Sequence, residues 1–73
     1  MYKWRIVFMF NNGKVIEGIH KSEEHNSGNV LREILGNGAK ERTFFGLTDK
    51  QNKHNIIVCL ENVDAIDISE YKP

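Results

Sequence analysis

Five pairs of adjacent apolar residues lie where the backbone of this chain reads as extended: Ile6/Val7, Phe8/Met9, Val15/Ile16, Phe44/Phe45 and Ile57/Val58. Side chains alternate between the two faces of a strand, so such pairs need cover on both sides of a sheet. Only one segment has helical spacing, around Val30, Leu31, Ile34 and Leu35, and one short helix shelters one face. The 73 residues allow a single domain, 1–73. A domain of this size buries only about 60% of the surface its unfolded chain exposes. The second face must be covered by the sheet curling on itself or by another molecule. Self-association is the simplest cover, because most soluble oligomers are symmetric copies of one chain. A homo-oligomer is expected.

Residues 4–10 are rich in aromatic and β-branched residues, which suit a pleated surface, and Asn11-Asn12-Gly13 follows them. Asn-Gly favours a tight hairpin because both residues tolerate positive φ. With Asn12 and Gly13 as the two turn residues, Phe8 faces Glu17 and Ile6 faces Ile19. One face then holds Trp4, Ile6, Phe8, Phe10, Val15 and Ile19, interrupted by Glu17. The other holds Val7, Met9 and Ile16, with Lys3, Arg5 and His20 towards its open end. A one-residue bulge at the turn exchanges the faces of the second strand.

Residues 22–29 are polar, with Ser22 and Ser27 as competing helix caps and Glu23 and Glu24 as acids suited to a helix start. One helix is predicted between residues 23 and 36, ended by Gly36-Asn37-Gly38. Residues 42–48 form a third strand with Phe44 and Phe45 on opposite faces. Residues 48–53 are a turn, and residues 54–60 a fourth strand. Residues 63–69 form a last edge strand with Ile66 and Ile68 on one side and Asp67 on the other. The fold class is α+β, a mainly antiparallel sheet of about five strands with one short helix, in the order β-β-α-β-β-β.

Ten basic and ten acidic residues cancel, which argues against a general polyanion binder. The charges are nevertheless unevenly spread. Residues 1–21 hold Lys3, Arg5, Lys14 and Lys21 against Glu17, while residues 60–73 hold Glu61, Asp64, Asp67 and Glu70 against Lys72. Such a split steers an anion to one end or lets opposite ends meet in an assembly. No apolar run approaches the roughly 20 residues of a membrane helix, and the N-terminal stretch lacks a signal-peptide core. Cys59, a single cysteine inside an apolar run, reads as a reduced, buried thiol. A cytoplasmic chain is expected.

His20, His25 and His54 are the residues suited to acid–base work near neutral pH, and no nucleophile stands at a recognisable spacing from them. His20 and His25 offer two metal ligands at most, which does not close a site. The run from Gly36 to Lys40 looks like a phosphate loop but follows a helix instead of leading into one. Neither a catalytic residue nor a metal or other cofactor is expected.

The Asn12-Gly13 hairpin, Phe45-Gly46-Leu47 and the run Asn62-Val63-Asp64-Ala65-Ile66-Asp67-Ile68 resemble small phage- and prophage-type proteins of low-GC Gram-positive bacteria. That resemblance implies a phage or mobile-element accessory protein and transfers no site residue. The residues themselves point to a non-enzymatic interaction module. It self-associates through an apolar sheet face and binds a protein partner, with Arg5, Val7, Met9, Ile16 and His20 as the interface. The alternative is a nucleic-acid or nucleotide binder using Lys3, Arg5, Lys14 and Lys21.

Overall fold

The computed structural model describes residues 1–36, 44–49 and 54–72. Strands β1 (Tyr2–Phe10), β2 (Val15–Ser22), β3 (Phe44–Thr48), β4 (Asn55–Cys59) and β5 (Val63–Glu70) form one sheet in the order β4-β3-β2-β1-β5. Every pairing is antiparallel. A helix, α1 (Ser27–Leu35), lies between β2 and β3, and a single 3-10 turn, Leu60–Asn62, joins β4 to β5. This is the expected α+β arrangement, with the expected order of elements.

The first hairpin departs from its expected register by one residue. Met9 pairs with Val15, Phe8 with Ile16, Val7 with Glu17 and Ile6 with Gly18. The loop therefore has three residues, Asn11-Asn12-Gly13. Gly13 N–H donates to the Phe10 carbonyl at 3.0 Å and Phe10 N–H to the Lys14 carbonyl at 2.9 Å. Gly13 alone needs positive φ, at 85°, and the Asn12 side chain accepts the Lys14 N–H at 2.9 Å. This is a turn followed by a left-handed glycine, the usual three-residue hairpin.

Burial explains the choice. The two-residue loop would set the Glu17 carboxylate among Phe8 and its apolar neighbours, where an ionised group is costly. The observed loop turns Glu17 outward and sends Ile16, Gly18, His20 and Ser22 inward.

Asn26, not Ser22 or Ser27, caps α1. Its backbone is extended and its side chain accepts the Gly28 N–H at 2.8 Å. Glu23 and Glu24 precede the helix, whose first turn carries no acid. Ser22 is instead buried at the end of β2. Its hydroxyl donates to Glu33 and accepts the Glu24 N–H, which folds the connection back over the sheet. The Trp4 indole N–H donates to the Glu24 carbonyl at 3.0 Å and pins the same segment. Gly36 ends the helix at φ 87°, its N–H reaching the Arg32 carbonyl. The other residues of the expected stop, Asn37 and Gly38, lie outside the described residues, as do residues 42–43 of the third strand and residues 50–53 of the following turn.

One apolar cluster joins Trp4, Ile6 and Phe8 of β1, Val30 and Ile34 of α1, Phe45 and Leu47 of β3, and Val58 of β4. Ile66 and Ile68 of β5, at the opposite edge of the sheet, pack against it too. A flat sheet would hold β4 and β5 about 19 Å apart. The three-residue 3-10 turn between them spans only about 8 Å. The sheet therefore curls, and α1 fills its concave side.

Candidate interaction surface

Curling shelters the inner face and leaves the outer one. Alternation along each strand defines that outer face, because the intervening residues enter the core. It carries Lys3, Arg5, Val7 and Met9 of β1, Val15, Glu17, Ile19 and Lys21 of β2, and Phe44, Gly46 and Thr48 of β3. Asn55, Ile57 and Cys59 of β4 and Ala65, Asp67 and Ser69 of β5 complete it.

Three large apolar side chains here are open to solvent: Val15 at 58%, Phe44 at 60% and Ile57 at 66% exposure. Phe44 pairs with Cys59 and Gly46 with Ile57 across the β3–β4 ladder. Phe44, Ile57 and Cys59 thus form one apolar patch. Cys59 is half-buried on this face and not within the core, a correction to its expected burial. Val15, Met9 and Val7 make a second patch, about six strand positions farther along and two strands away.

Between the patches lies a row of charge. Arg5 Nε donates to the Glu17 carboxylate across β1 and β2. Asp67 stands beside Val7 on the β5 side, and Lys3 lies directly opposite Lys21 at the far end.

β2 and β3 meet at a single described pair, Ile19 with Thr48, reinforced by the Thr48 hydroxyl donating to the Ile19 carbonyl at 3.2 Å. Beyond it the strands diverge and leave an open groove of about 380 Å³ lined by Ile19, Lys21, Gly46, Thr48, Asn55 and Ile57, among others. Ile19 and Ile57 supply apolar surface to it, beside the polar Lys21, Thr48 and Asn55. Ile19, although on the outer face, is only 6% exposed, because β3 crosses close beside it.

The residues singled out by sequence are divided by the structure. Arg5, Val7 and Met9 share the outer face. Ile16 and His20 do not: the one-residue register difference turns both inward, where Ile16 packs against the core and the His20 ring meets the Phe45 edge at 5.0 Å. Val15, Glu17, Ile19 and Lys21 take their places. Phe44 and Ile57 were not singled out. The signal for them was present in the doublets Phe44/Phe45 and Ile57/Val58, whose outward members had to emerge somewhere. Of the basic residues, Lys3, Arg5 and Lys21 gather at one end, while Lys14 lies in the hairpin about 23 Å along the strand direction.

The three histidines stand in three separate places. His20 Nε2 lies 3.4 Å from the Glu33 carboxylate, which also receives the Ser22 hydroxyl. The Ser22 hydroxyl, donating to Glu33, ties α1 to β2. His25 rests edge-on against Tyr2, and His54 Nε2 lies 3.1 Å from Asp49. Among the described residues, no group of three or more His, Cys, Asp or Glu could hold a metal ion, and no helix is long and apolar enough to cross a membrane.

Comparison with protein-family models, curated proteins and solved structures returns no match.

Proposed function

We propose that this protein is a non-enzymatic interaction module that self-associates through its outer sheet face and in that form binds a protein partner. The observation that carries this is the exposure of Val15, Phe44 and Ile57 on the side of the sheet opposite α1. Apolar side chains grouped on one face are what a protein interface requires at its centre, and polar residues already rim them. A cytoplasmic accessory role in a phage or mobile element, implied by resemblance, suits such a module. Light scattering and sedimentation at micromolar concentration test it. The wild type is expected to be larger than a monomer, and Phe44→Glu and Ile57→Glu to be folded monomers. A wild type that stays strictly monomeric overturns it.

The cross-strand pairing of Lys3 with Lys21, with Arg5 next to them, favours a second reading. Like charges directly opposite are unfavourable unless an anion joins them, so single-stranded nucleic acid is the alternative ligand. Its signature is binding to mixed oligonucleotides that weakens steeply with salt and is lost in Lys3→Glu/Lys21→Glu. Absence of binding at low salt removes it.

A further inference from the structure

From the placement of charge on the outer face we infer that its occupant is a second copy of this chain, packed face to face with strand directions reversed, so that the Lys3/Lys21 end of each copy lies over the Glu17/Asp67 row of the other. This rests on the self-association proposed above and specifies its geometry.

The register sets out the face row by row. Lys3 stands opposite Lys21; Arg5 stands between Ile19 and Ser69; Val7 stands between Glu17 and Asp67; Met9 stands between Val15 and Ala65. Basic groups thus fill the first two rows, acids the third, and apolar groups the fourth. Two faces related by a two-fold axis can be laid together in two simple ways. An axis parallel to the strands sets each row on itself, lysines on lysines. An axis running across the strands reverses the rows and carries the lysine end towards the acids. Like-charge contact is repulsive and opposite-charge contact fixes register, so the second arrangement is selected.

The apolar groups agree with that choice. Phe44 and Ile57 lie at the lysine end, on β3 and β4, whereas Val15 and Met9 lie at the other end, on β1 and β2. Reversing the rows brings each copy's Phe44/Ile57 patch level with the other's Val15/Met9 patch, and inclining the axis to offset the roughly two strand widths between them seats one on the other, a self-complementary contact of the kind a two-fold demands. The size is adequate too. A face built on the nine residues of β1 and five strand widths has a projected area on the order of 600 Å². Two such faces set an upper limit of about 1,200 Å², which the convexity of the sheet lowers towards the roughly 1,000 Å² of the smallest specific interfaces.

Charge reversal tests this, with sedimentation equilibrium as the readout and circular dichroism to confirm folding. Lys3→Glu/Lys21→Glu is expected to weaken the dimer by about tenfold or more, as is Asp67→Lys alone. Lys3→Glu combined with Asp67→Lys exchanges these two charges while Lys21 keeps facing Glu17, and this double variant is expected to bind more tightly than Asp67→Lys alone. A dimer whose affinity none of these changes alters, or a Lys3→Glu/Asp67→Lys variant weaker than Asp67→Lys, overturns the reversed-strand packing while leaving self-association in place. A wild type that is monomeric at every concentration overturns both.

Discussion

Gly18 illustrates how much a single position decides. A Cβ built there would meet Leu47 Cβ at 2.8 Å and the Thr48 carbonyl oxygen at 2.9 Å. Two of these atoms belong to or adjoin the β3 backbone, so relief requires the strand to move and not merely a side-chain rotation. Because β2 and β3 share only the Ile19–Thr48 pair among the described residues, that strand contact has little to compensate for a shift. Gly18→Ala is expected to destabilise the protein by about 1–3 kcal/mol, read from the midpoint of urea unfolding. Equal stability would show that Leu47 repacks without cost. The preference for glycine here was not legible in the sequence. Gly18 in a strand pattern signals only some close approach, and the partner comes from 29 residues away.

At the level of elements, α1 is held by devices at both ends. Asn26 supplies the cap, Gly36 the stop, and Glu33 anchors the middle by receiving the Ser22 hydroxyl. A helix of nine residues is too short to persist alone, so these contacts and the burial of Val30 and Ile34 maintain it. Asn26→Ala is expected to cost about 1 kcal/mol, measured by thermal or chemical unfolding, while Ser27→Ala should be close to neutral. The reverse ranking would restore Ser27 as the cap.

The helix itself was legible from Val30, Leu31, Ile34 and Leu35, and its end from Gly36. Its start was not, because Ser22, Asn26 and Ser27 all have capping chemistry. The choice among them fell to tertiary contacts: Ser22 is engaged by Glu33, and the segment after it is drawn back by the Trp4 indole.

The whole molecule solves its cover problem halfway. A three-residue link between the two edge strands forces the sheet to curl, and the concave side becomes a core with the helix inside it. The convex side keeps its outward apolar groups. If a second copy covers them, the folded state is stabilised by mass action, and the thermal midpoint must rise with protein concentration. That rise is expected for the wild type and should vanish in Phe44→Glu, as seen by calorimetry over a range of concentrations. A midpoint independent of concentration in the wild type would contradict self-association.

By itself, the sequence determined the elements and their order. Alternation of period two marks the strands, a 3.6-residue spacing marks the helix, and Asn-Gly and Gly36 mark two of the turns. It also required that apolar groups emerge on both sides of the sheet, since each strand carries them at neighbouring positions. Tertiary structure alone decided which groups share a face. The segment Asn11-Asn12-Gly13 closes a hairpin of two residues or of three with similar local ease, and with a period of two that single residue exchanges every side chain of β2. The cost of burying the Glu17 charge beside Phe8 tipped the balance, and that cost exists only once the core has formed around it.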